Sequence, residues 1–172
     1  MSTNLQFIKS VTPTGASSSV SVTDVFSAQY NVYVVTYNWV TDSGSPKDTD
    51  LRFINSSDTI VTNSNYDYAY LIMNTGSSFT ETRATGQDKI TAMLAPTDFP
   101  PEGNAGIFSV YNPFATSYTF LTSQSSNSWN GTRAGWKGIA VLKEETSITG
   151  FNMFISSTNP TSASNISVYG VK

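Results

Sequence analysis

Apolar and polar residues alternate with period two along most of this chain. In YNVYVVTYNWV (30–40), Tyr33, Val35, Tyr37 and Trp39 fall on one face and Val32, Val34, Thr36 and Asn38 on the other. β-Branched and aromatic side chains at that spacing suit a pleated, half-buried strand. YDYAYLIMN (66–74) repeats the pattern, setting Tyr66, Tyr68, Tyr70 and Ile72 against Asp67, Ala69, Leu71 and Met73. It ends at Thr75-Gly76, a turn signal. Further strands are predicted over LRFIN (51–55), FTETRAT (79–85), KITAML (89–94), GIFSVYN (106–112), SYTFLTS (117–123), GIAVLK (138–143), SITGFNMFISS (147–157) and NISVYGVK (165–172). The pair 79–85 and 89–94, separated by Gly86, Gln87 and Asp88, reads as a hairpin. TDSGSPKD (41–48), APTDFPPEGNAG (95–106) and QSSNSWNGTRAG (124–135) read as loops.

No window of ten or more residues carries a capped 3.6-residue period. Eight to ten short strands, with turn signals every ~8–12 residues, predict an all-β fold. The expected form is an antiparallel β-sandwich of jelly-roll-like type. No repeat or linker divides the chain, so residues 1–172 are expected to form a single domain, long enough for a sizeable core.

Composition narrows the chemistry. Charged residues make up 12 % of the chain, about half the usual ~25 %. Polarity comes instead from Ser, Thr and Asn, more than a third of all residues. The net charge is −3 and the nine basic residues are scattered singly, so no nucleic-acid partner is expected. No apolar run is long enough to span a bilayer, and no membrane insertion is expected. The opening MSTNLQFIKSVTPTG has one Lys and no apolar run, so no secretory signal is expected there.

There is no Cys and no His. That removes disulfides, thiolate nucleophiles, cysteine-bound metals and the commonest general base. A Ser-His-Asp triad cannot be assembled. Carboxylate chemistry survives, because a glycosidase needs only two acids flanking a sugar, yet no pair stands in a recognisable context. Asp42, Asp48 and Asp50 group oxygen ligands of the kind Ca²⁺ takes. The same residues are good turn formers, and the EF-hand spacing is missing. The expectation is a protein that is not an enzyme and holds no cofactor.

Aromatic residues are the richest remaining group. Tyr66, Tyr68 and Tyr70 share a face with Ile72 and read as core or subunit interface. Trp129 differs, because it lies in a polar, Gly-bearing stretch where an exposed Trp suggests contact with a partner. With Asn127, Asn130 and Arg133 it forms the candidate partner or glycan contact, since aromatic rings stack on sugars.

The order of three segments carries a resemblance. LRFINSSDTIVTNSNYDYAYL (51–71), SVYNPFATSYTFLTSQ (109–124) and ITGFNMFISSTNPTSASNISVYGVK (148–172) resemble jelly-roll-like virion surface modules of short-tailed marine bacteriophages, cyanophages among them. The likeness runs from about residue 20 onward and is most telling at the terminal VYGVK. It implies a jelly roll on the surface of a phage particle, either a capsid decoration or a tail-fibre-end module. The implied partners are other virion proteins and further copies of the chain, a trimer by preference, with a host-surface glycan as the alternative ligand. Strands occupying the whole chain favour decoration or a small head or tail appendage over a fibre. Flat, uncharged surfaces rich in Tyr, Ser and Asn suit protein–protein burial. In the terminal segment, Phe151, Met153 and Ile155 are expected to pair with Ile166, Val168 and Val171 as adjacent strands, with Gly170 marking a bulge.

Overall fold

The computed structural model describes residues 4–15, 17–41, 47–76, 79–94, 104–129, 132–155, 158–161 and 163–172. Among them are eleven strands and no helix. They are β1 (Leu5–Val11), β2 (Ser19–Val22), β3 (Val32–Trp39), β4 (Thr49–Asn55), β5 (Tyr66–Asn74), β6 (Thr80–Gln87), β7 (Asn104–Tyr111), β8 (Thr119–Trp129), β9 (Thr132–Leu142), β10 (Ile148–Ile155) and β11 (Asn165–Val171). Eight form one antiparallel sheet in the order β1-β11-β3-β7-β8-β9-β5-β6, and three form a second in the order β2-β10-β4.

The two sheets make a β-sandwich. From β1 to β5 the chain changes sheet at every step, and it does so again from β9 to β11. From β5 to β9 it stays in the larger sheet.

The alternation along β3 sorts as the sequence predicts: Tyr33, Val35, Tyr37 and Trp39 are buried, while the residues between them are not. Phe151 of β10 crosses the gap between the sheets. Its ring lies 5.4 Å from Phe108 of β7 and 6.0 Å from Phe26. Burying each such side chain contributes roughly 1.5–3 kcal/mol.

Buried tyrosines also fasten loops to strands. The Tyr66 hydroxyl accepts from Phe53 N–H at 2.9 Å and donates to Val61 C=O at 3.1 Å, joining β5 of one sheet to β4 of the other. The Tyr37 hydroxyl donates to Leu94 C=O at 2.7 Å. Burial raises both phenols above their ordinary range, so they remain neutral donors.

Four local expectations are corrected. First, 79–85 does not pair with 89–94. The turn at Thr75-Gly76 folds β6 back onto β5, and 89–94 keeps only a bridge between Ile90 and Leu51. Ala92, Met93 and Leu94 are buried in succession, which a half-exposed strand does not allow.

Second, 124–135 is no loop, because β8 and β9 continue through it in register to Trp129 opposite Thr132. Its inward positions on β8, Ser125 and Asn127, are polar, so the apolar period is absent there although the strand is not.

Third, β10 and β11 are not adjacent. β10 pairs with β2 and β4, and β11 with β1 and β3. Period two distinguishes inside from outside but does not assign a strand to a sheet.

Fourth, Gly170 lies in regular register, and the bulge falls on β1 between Phe7 and Lys9. Gly170 is bare because the Tyr30 ring lies against it; a Cβ would come within 2.4 Å of that ring.

Candidate functional site

Alternation sends every second residue of the larger sheet away from the core. On six adjacent strands many of those residues are apolar as well. Strand pairing sets Leu5, Val171, Val32, Tyr111, Phe120 and Val141 side by side in one row. The next row runs Phe7, Tyr169, Val34, Ser109, Thr122 and Ile139. At ~4.8 Å per strand, the band is about 24 Å long. None of these twelve residues is charged.

Ile139 is 63 % exposed, Phe7 58 % and Phe120 52 %. Singly exposed apolar residues are ordinary, whereas a contiguous band marks a contact surface.

At its β9 end the band runs into a concave groove of about 860 Å³ formed across β6, β5, β9, β8 and β7. Ile139, Lys137, Thr122 and Gln124 lie on its floor, with Glu81 and Arg83 of β6 to one side and Ile107 of β7 to the other. The ion pairs of the described residues are Arg52–Asp88, Lys89–Asp50 and Lys143–Asp67, and they leave out Glu81, Arg83 and Lys137.

The four residues singled out from the sequence sit elsewhere, at the end of the β8–β9 hairpin. Asn127 is buried on the inner face of β8, and Arg133 is exposed and donates from Nη1 to Ser128 Oγ at 2.7 Å. Both line a shallow depression of about 580 Å³ with Thr75 and Ser126. Trp129 closes β8, and its side chain, like Asn130, lies outside the described residues. The structure therefore brings two of the four together.

The apolar band went unmarked at the sequence level, although runs such as VYVV and GIAVL carried its signal. A strand apolar on both faces expects cover on both.

Two carboxylates are held by neighbouring side chains. Asp50 is buried and accepts from Lys89 Nζ at 2.6 Å, and Glu144 accepts from Asn63 at 2.5 Å. Asp42, Asp98 and Glu102 lie outside the described residues. Among the described residues no three His, Cys, Asp or Glu side chains form a group that could hold a metal ion.

Burial raises the Asp50 carboxyl above its ordinary value, with Lys89 opposing that shift. A raised folded-state pKa contributes stability that is complete below the unfolded value and is lost as pH rises through the folded one. Asp50→Asn should therefore gain on the wild type in Tm as pH climbs from about 4. Parallel Tm curves across that range would contradict the assignment. Asp67 works in the opposite sense. Hydrogen bonds from Lys143 and from Gly86 N–H lower its pKa, so its contribution is lost as pH falls.

The chain matches no protein-family model and no curated protein sequence. The fold and the surface then give the class: an all-β antiparallel sandwich whose larger sheet carries an exposed, uncharged band on its outer face among the described residues.

Proposed function

We propose that this chain is a structural subunit of a bacteriophage particle, a capsid decoration or small head or tail appendage on the virion surface. It works through protein–protein contacts with other virion proteins and with its own copies. It has no enzymatic activity and needs no cofactor. The carrying observation is the uncharged band on the outer face of the larger sheet. Interface cores are depleted of charge and enriched in aromatic residues, and Phe7, Phe120, Tyr111 and Tyr169 give this band that character. The motif order ending in VYGVK supports the phage setting, and the lack of His and Cys supports the non-enzymatic role. Mass spectrometry of purified particles should find the protein in many copies, and its absence would remove the proposal.

A host-surface glycan is the second reading, favoured by the depression that Asn127 and Arg133 share. A glycan array probed with wild type and Trp129→Ala tests it, and no signal from the wild type would end it.

A further inference from the structure

We infer that the uncharged band joins two copies of this chain face to face about a two-fold axis. The inference rests on reading this face as a contact surface, and it names the occupant.

Area is the first argument. Within the band, Phe7, Phe120, Ile139 and Leu5 are between 49 % and 63 % exposed. At roughly 100 Å² apiece, they and the less exposed residues of the two rows present on the order of 700 Å². That is about one partner's share of a standard interface. It exceeds the ~300–600 Å² of the largest apolar patch on a typical monomer.

Self-complementarity is the second. A two-fold contact sets one patch against its own copy, so the patch must match itself. A band without charge does so, apolar against apolar. At the rim, Glu81 and Arg83 stand two residues apart on the outward side of β6, opposite Leu71 and Ala69. Neither belongs to an ion pair of the described residues. Both are exposed, so this end of the face carries its charges beyond the band and not within it.

Two alternatives fit less well. A closed trimer buries two different patches on each subunit. The outward side of the smaller sheet instead carries Arg52, Ser19 and Ser21, and its one large apolar side chain there, Phe154, lies under the Arg52 and Lys89 cations. Edge-to-edge pairing through β6 is opposed by its charges, the usual protection of an exposed edge.

Sedimentation velocity on the full chain tests the inference. Wild type should run at twice the 18.6 kDa chain mass at micromolar concentration. Phe120→Asp and Ile139→Asp should run as monomers with unchanged far-ultraviolet circular dichroism. Phe79→Asp, which changes the most exposed large apolar residue outside the band, should remain dimeric. A monomeric or trimeric wild type would overturn the inference, as would a dimer indifferent to Phe120→Asp and Ile139→Asp. Finding the protein in particles but monomeric in solution would overturn this contact alone and leave the structural role standing.

Discussion

Phe151→Ala should destabilise the fold by about 3–5 kcal/mol, the range for emptying a fully buried aromatic site. Phe151 is 0 % exposed and stands where the two sheets meet, between Phe108 and Phe26. Its neighbours belong to a strand of the opposite sheet and to the segment between β2 and β3, so neither can follow the missing ring without moving its own backbone. The loss corresponds to a fall in Tm on the order of 10 °C for a chain of this size. Thermal unfolding followed by circular dichroism measures it. A fall of only a degree or two would mean that the smaller sheet does not depend on this contact.

Gly150→Ala should be nearly as costly for the opposite reason. A Cβ there would stand 2.3 Å from the Val22 carbonyl oxygen and 3.1 Å from Thr23 Cα, both backbone atoms. Val25 and Phe26 N–H both donate to Thr149 C=O, so the segment after β2 is tied down where it would have to move. The expected cost is about 3 kcal/mol, at the upper end for overpacking. Gly138→Ala is the comparison. Its nearest obstruction is the Met93 side chain, 2.5 Å away and able to change rotamer, and the first atom fixed to a backbone is Tyr70 Cβ at 3.0 Å, so the loss should be smaller. Equal losses in the two variants would contradict the close approach of the β2 end to β10.

Much of the fold was legible because burial and side-chain alternation coincide. Tyr33, Val35, Tyr37 and Trp39 are inside as their period predicts, and the limits of β5 match the residues 66–74 read from the sequence. Legibility failed wherever the inner face is polar or the partner strand is distant. Ser125 and Asn127 are buried without an apolar signal, so the end of the longest hairpin reads as a loop. Phe151, Met153, Ile155, Ile166 and Val168 point inward as expected, whereas Val171 falls on the outer face, and one sequence does not say that β10 and β11 face each other from different sheets.

The candidate contact was harder still. Trp129 drew attention by its polar neighbours, whereas the larger apolar surface lay in residues that individually looked like strand filling. Only the register places Phe120 beside Val141 and Tyr111.

The chain has no cysteine, so one introduced thiol reports on one place. Thr122→Cys sits within the band, beside Ile139, and Ser56→Cys in the exposed turn after β4 is the reference. The most direct measurement is the rate of maleimide labelling at these two sites, from dilute protein up to micromolar concentration. If the outer face of the larger sheet is the contact surface, labelling of Thr122→Cys slows as concentration rises while Ser56→Cys stays constant. Equal rates at both sites throughout that range would contradict the account.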